Sequence, residues 1–193
     1  MNVGIYIYDQ AEVLDFSGPF EVFTTANRIC VDVEPFTVFL IGESSGVVRA
    51  RAGYRVLADY SINDHPPLDV LIVAGGMHQD EMRKPQVIRW LTAAAEQAQL
   101  TASVCTGAFL LAKAGVLAGG QVTTHWQDIS ELRELFPGLT VIENVRWVDT
   151  GDRVSSAGIS AGIDMSLHLV SRLHSPELAR LTARQMDFDW QHN

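Results

Sequence analysis

Cysteine is scarce in this chain: Cys30 and Cys105 are the two among 193 residues. Their count leaves a disulfide between them open, yet such sparse use fits a reducing compartment better than an oxidising one. No group of Cys and His has zinc-ligand spacing, so no metal is expected. Positive charge is also in short supply. Lys and Arg total 14 against 23 Asp and Glu, giving a formal net charge of −9. A general nucleic-acid surface needs clustered basic residues, and anionic membranes attract them, so neither partner is expected. No apolar run approaches the ~18 residues that span a bilayer. Met1–Tyr8 is apolar but short, has no basic lead-in and runs at once into Asp9, so no secretory signal is expected. These absences together predict a cytoplasmic protein. Repeats, low-complexity stretches and linkers are missing too.

What is present is a core. Hydrophobic residues make up 47% of the chain and charged ones 19%, which is ordinary for a globular protein and enough for one sizeable interior. The length predicts one domain, 1–193. Val3–Tyr8, Phe36–Ile41 and Leu68–Ala74 are continuous apolar, β-rich runs, the pattern of strands buried on both faces. Helical patterns lie between them, from about Ser17 to Ile29 with Pro19 at an early position, and from Pro85 to about Ala98. Alternation about Gly53 predicts a hairpin within Val47–Ile62. Later come a strand candidate at Gln121–His125, a helix over Trp126–Phe136 and short strands at Val141, Trp147 and Val154. Helices over Ser160–Leu173 and from Pro176 to about Phe188 close the chain. Strands alternating with helices predict an α/β fold, a doubly wound, flavodoxin-like and mostly parallel sheet with helices on both faces.

In such sheets ligands bind beyond the carboxyl ends of the strands. Three suggestive places fall there: Asp15 after the first strand, Gly75-Gly76 after the middle one, and Cys105 after the next. Around Cys105, Leu100–Val104 is apolar and Thr106-Gly107-Ala108 leads into good helix formers. That is a strand–nucleophile–helix elbow. A thiol at a helix N-terminus is favoured as the reactive thiolate. Asp15 beside it is expected to be either protonated or repelled, because two adjacent anions are costly; a protonated Asp15 would donate to the sulfur and then act as a general acid. The Gly75 and Gly76 backbone N–H groups, with that of Thr106, are candidates for binding developing negative charge. Thr106 reads equally as a helix cap or as a hydroxyl that orients water or substrate. His125, after a strand, is a pocket candidate, with His78 a weaker one of the same kind. Cys30 reads as structural. Gly158–Gly162 lacks the Lys of a phosphate loop and reads as close packing of a helix on the sheet or on a partner subunit. Val13, Phe16, Phe20 and Phe23 read as core.

Five segments resemble the ThiJ/PfpI superfamily, which has a class I glutamine-amidotransferase-like fold. They are Val13-Leu-Asp15, Leu71–Gly76, Ser103–Ala108, Val122–Trp126 and Ala157–Asp164, and the likeness runs from Val3 to about Met186. Within the superfamily the chain is most similar to the isonitrile hydratase branch and to the amidotransferase-like sensor domains of AraC-type regulators. The resemblance implies a Cys105 nucleophile, an Asp15 partner, and pocket roles for Gly75, Gly76, Thr106 and His125. It also implies a homodimer, a small-molecule substrate and no cofactor. The peptidase-like members carry His after the cysteine, where this chain has Thr106. The redox-protective branch uses Glu where this chain has Asp15. Neither His168 nor His174 forms the late His–Glu pair of true amidotransferases. With the chain ending at Asn193, no room is expected for a helix-turn-helix domain. The activity implied is addition of water to a small isonitrile. The alternatives are a ligand-sensing domain and a redox or carbonyl-stress thiol.

Overall fold

Seven strands form one sheet in the order β10-β11-β7-β6-β1-β2-β5, in a computed structural model that describes residues 1–31 and 33–193. The strands at its centre are β1 (Asn2–Tyr6), β6 (Val70–Val73) and β7 (Leu100–Val104). β6 and β7 are buried at every position, and β1 at all but its first, Asn2. This accounts for their unbroken apolar runs, since a strand covered on both faces has no solvent side to alternate toward. On the flanks, β2 (Thr37–Gly42), β5 (Tyr60–Ser61) and β11 (Arg153–Ser156) pair in parallel with their inner neighbours. Only β10 (Trp147–Asp149) runs antiparallel, joined to β11 by the turn at Thr150–Asp152.

The helices are α1 (Val13–Ile29), α2 (Pro85–Gln97), α3 (Gly107–Lys113), α4 (Ile129–Leu135), α5 (Ala161–Leu173) and α6 (Pro176–Gln185). α1, α5 and α6 pack together over the sheet, while α2 packs with α3. The buried apolar residues form one contiguous cluster that includes Phe16 and Phe23, with Val13 and Phe20 packed at its edge.

Several boundaries differ from expectation. Strand β1 ends at Tyr6, and Ile7–Glu12 form the loop into α1. That helix begins at Val13 instead of Ser17, which puts Asp15 inside its first turn. Pro19 consequently lies mid-helix. It is tolerated because α1 is held by packing against α5 and α6, which compensates for one missing backbone donor. The predicted hairpin is real, but β3 (Gly46–Arg49) and β4 (Arg55–Ala58) form a separate two-stranded sheet. The Gln121–His125 strand is reduced to β8 (Gln121–Val122), paired in parallel with β9 (Thr140–Val141).

β1, β6 and β7 are neighbours, and the chain winds away from β1 and β6 in opposite directions. The loops after these three strands therefore meet at the switch point of the sheet. No helix among the described residues is long and apolar enough to cross a membrane.

Candidate active site

Cys105 is the first residue after β7 and adopts φ +55°. For a non-glycine residue this left-handed backbone costs roughly 1–2 kcal/mol, so the surroundings must impose it. They do so from two sides. The Cys105 N–H donates to the carbonyls of Ser156 and Ala157 (3.2 and 3.3 Å) at the end of β11, and the buried Thr124 hydroxyl donates to the Cys105 carbonyl at 2.8 Å. Beneath the turn, a Cβ at Gly107 would overlap the Val73 carbonyl oxygen. The elbow can therefore seat on the sheet only with glycine there. Both cysteines are free thiols. Cys30 lies far from the elbow, half-buried at the end of α1 and 3.9 Å from His174 Nε2.

Asp15 is fully buried and lies beside Cys105, with its Oδ1 left without a hydrogen-bond partner. Its Oδ2 accepts the Gly75 N–H at 3.1 Å. Gly75 fills a gap that no side chain could share, since a Cβ there would lie 2.6 Å from Thr106 N and 2.7 Å from Asp15 Oδ2. Burial, with a smaller contribution from the charge on Glu12, raises the Asp15 pKa to about 7, against the nearby Cys105 thiol and the Gly75 N–H, which lower it. The thiol is pushed up as well, first by burial and then by Asp15. Opposing that rise, the backbone N–H groups of Thr106 and Ile159 lie near the sulfur and favour its charged form. The expectation that the helix end alone would yield a thiolate is thus corrected. The seven-residue α3 does not outweigh burial, and the thiol titrates as one coupled pair with Asp15.

The expected charge-binding donors also change. The Gly75 N–H is taken by Asp15, and the Gly76 N–H by the Thr106 hydroxyl at 2.8 Å, which donates back to the Gly76 carbonyl at 2.8 Å. Thr106 makes no side-chain cap to α3; its hydroxyl fastens the elbow to the Gly75-Gly76 turn. Two backbone donors lie near the Cys105 sulfur, the Thr106 N–H, expected to bind charge on a substrate, and the Ile159 N–H, which was not expected. Ile159 sits in the Gly158–Gly162 segment with φ +49°. Its role is one of backbone, so its side-chain type gave no signal. The segment's glycines serve close packing: a Cβ at Gly162 would meet Val104 at 2.7 Å, and Gly158 lies flat against the His125 ring.

Cys105 opens into a cleft of about 420 Å³ whose walls include Gly76, His78, Thr106, His125 and Ile159. His125 Nδ1 lies 3.2 Å from Asp128 Oδ2, so its bonding partner is Asp128 and not the cysteine. His78 is buried on the Phe109 ring (centroids 4.2 Å apart), and burial lowers its pKa, leaving it neutral. No group of three or more potential metal ligands occurs among the described residues.

A strained cysteine elbow beside a buried carboxylic acid, at the switch point of a parallel sheet, defines the candidate site of this α/β protein. Residues 1–172 match the DJ-1/PfpI family, and the chain belongs to that family. The isonitrile hydratase of Pseudomonas putida is 31% identical over 190 residues, covering 97% of this chain and 78% of the hydratase. The HTH-type transcriptional regulator CdhR of Pseudomonas aeruginosa is 31% identical over 173 residues, 90% of this chain. The chain spans only 51% of that regulator's length. Among solved structures, a ThiJ/PfpI family protein from Pseudomonas syringae superposes with a TM-score of 0.87 at 22% identity, covering 99% of this chain and 76% of that one. An AraC family transcriptional regulator from Pseudomonas putida superposes with a TM-score of 0.84 at 24% identity, covering 96% and 98%. These two likenesses are of fold.

Proposed function

We propose that the chain is an isonitrile hydratase-like lyase acting through Cys105 and Asp15. The observation that carries this reading is a fully buried carboxyl beside the thiol, its proton held up to about pH 7, at the foot of a cleft, with no histidine bonded to the sulfur among the described residues. The similarity to isonitrile hydratase across nearly the whole chain supports it.

The chemistry balances with this pair alone. The Cys105 thiolate bonds to the terminal carbon of R–N≡C while Asp15 gives that carbon its proton, forming R–N=CH–S–Cys105. The Asp15 carboxylate then takes a proton from water as the oxygen adds to the same carbon, and passes that proton to nitrogen. Finally Asp15 takes the hydroxyl proton as the C–S bond breaks. R–NH–CHO leaves, and the thiolate and carboxylic acid are restored. The Thr106 and Ile159 N–H groups hold the sulfur's negative charge at the start and end of the cycle.

The test is intact-mass spectrometry and formamide analysis with a panel of isonitriles on wild type, Cys105→Ala and Asp15→Asn. Wild type should form an adduct and turn over, and Cys105→Ala should do neither. Full turnover in Cys105→Ala would reject the mechanism.

A second reading has its own support, since the similarity to transcriptional regulators covers 90% of the chain. In it the same cleft senses a small molecule without consuming it. Ligand-dependent thermal stabilisation with no turnover would favour that reading. A redox or carbonyl-stress thiol would instead show sulfinic acid on Cys105 under mild peroxide, or turnover of methylglyoxal. We place the protein in the cytoplasm as a homodimer. Sedimentation at twice 21.2 kDa would support the dimer, and sedimentation at 21.2 kDa would reject it.

A further inference from the structure

Among the described residues, Arg51 is the sole Lys or Arg on the walls of the Cys105 cleft. It stands at the tip of the β3–β4 hairpin, where Ala52 and Gly53 both take left-handed backbone (φ +57° and +81°). That pair of positive φ values folds the tip back on itself.

The hairpin is docked onto the loop after β1 by three hydrogen bonds. The Gln10 N–H donates to the Arg49 carbonyl at 2.8 Å, the Arg51 N–H to the Ala11 carbonyl at 2.9 Å, and the Arg49 N–H to Asp9 Oδ1 at 2.8 Å. The same loop runs on into Glu12 and Asp15, so the backbone of Arg51 is held in register with the reactive pair. Lys84, Arg146 and Arg172 are each paired with a carboxylate. The Arg51 guanidinium has no such partner among the described residues.

The other charged side chains on the cleft walls, Glu12 and Asp128, are negative. Glu12 acts on Asp15, and Asp128 acts on Cys105 while paired with His125. Among the described residues Arg51 thus supplies the positive side chain on these walls, carried in by the hairpin. A guanidinium is always charged and presents a planar fork matched to oxyanions.

We propose that Arg51 is an anion subsite of this cleft, receiving a carboxylate or sulfonate at the far end of the small molecule whose other end reaches Cys105. The substrate class narrows to compact molecules with an electrophilic carbon at one end and an anionic group at the other. For the hydratase reading that is an isocyano carboxylate. The inference rests on reading the Cys105 cleft as the ligand site, and it holds whether or not the chemistry is isonitrile hydration.

Charged methanethiosulfonates separate the two questions. With either reagent the Cys105 thiolate attacks the sulfenyl sulfur, a new S–S bond forms, methanesulfinate leaves with the bonding pair, and the thiol's proton goes to Asp15. The anionic sulfonatoethyl and cationic trimethylammonioethyl reagents are compared at low salt in wild type, Arg51→Ala and Arg51→Lys. Peptide mass spectrometry resolves Cys105 from Cys30, which lies outside the cleft and serves as the internal reference.

Arg51→Ala should slow the anionic reagent at Cys105 about three- to tenfold, a size suited to a partly hydrated ion pair. The cationic reagent should not slow, the rates at Cys30 should be unchanged, and Arg51→Lys should retain much of the wild-type rate. Equal changes for both reagents at Cys105, or none, would overturn the subsite. Loss of all isonitrile turnover with the anionic preference intact would sink the hydratase reading alone.

Discussion

Asp15 and Cys105 share their titration, because each charge raises the cost of the other. Below about pH 7 both groups hold their protons. Above it the pair has lost one, chiefly from Asp15, and a minor tautomer with a thiolate and a carboxylic acid accompanies it in fixed proportion. Alkylation of Cys105 should therefore rise with pH through a midpoint near 7 and then level off. Asp15→Asn should abolish that midpoint and leave only the later rise of an isolated buried thiol. A wild-type profile flat from pH 5 to 8 would contradict the coupling. Stability should follow the opposite course. An ordinary aspartate, at 3.8, loses its proton in the unfolded chain well before folded Asp15 does at about 7. The native state thus binds more protons across that window, and stability falls as pH climbs from about 4 to about 7. The deficit is on the order of 4 kcal/mol above it. Asp15→Asn should raise the melting temperature at pH 8 and change it little at pH 4, as checked by calorimetry. Both residues were legible in the sequence because each stands alone after an apolar strand. The occupancy of the Gly75 and Gly76 N–H groups was not, since their partners come from residues 60 and 30 positions away.

At the scale of elements, the elbow depends on contacts that leave no local trace. Gly107 reads as an ordinary start to a helix, yet it is where α3 presses on the Val73 carbonyl. Gly107→Ala should destabilise the fold by about 3 kcal/mol in denaturant titrations. It should also slow Cys105 alkylation, because the turn must lift to make room. An effect below about 0.5 kcal/mol would mean that the elbow is not seated as described. The start of α1 was misjudged for a related reason. Its N-cap, Glu12, makes no side-chain cap bond, so the first turn carries no Ser, Thr or Asn signal. The proline that looked like a helix opener is instead buried in mid-helix.

Across the whole molecule, the segment after α6 is tied to the sheet side by a buried carboxylate. Asp164 is fully buried in α5, pairs with Arg146 and accepts the Gln191 N–H at 2.8 Å. Arg146 retains about a third of its side-chain exposure (36%). The two halves of the pair should therefore respond unequally. Arg146→Ala strands a buried charge and should cost about 4 kcal/mol, whereas Asp164→Ala leaves an arginine that water can reach and should cost about 2 kcal/mol. Equal losses in chemical denaturation would show that the pair acts as simple packing.

By itself, the sequence determined the fold class, the strands at the centre of the sheet and the edge at which Cys105, Asp15 and Gly75 meet. Those features follow from hydrophobic pattern and from the rule that parallel strands end at a common edge. The family likeness was legible as well, because it rests on short runs of residues. Only the tertiary structure decided how the site is wired. It turned two glycine N–H groups inward and set Ile159 near the sulfur. It bonded His125 to Asp128 and brought Arg51 to the cleft on a separate hairpin. Each of these is a contact between backbones or between distant loops, where distance in space bears no relation to distance along the chain.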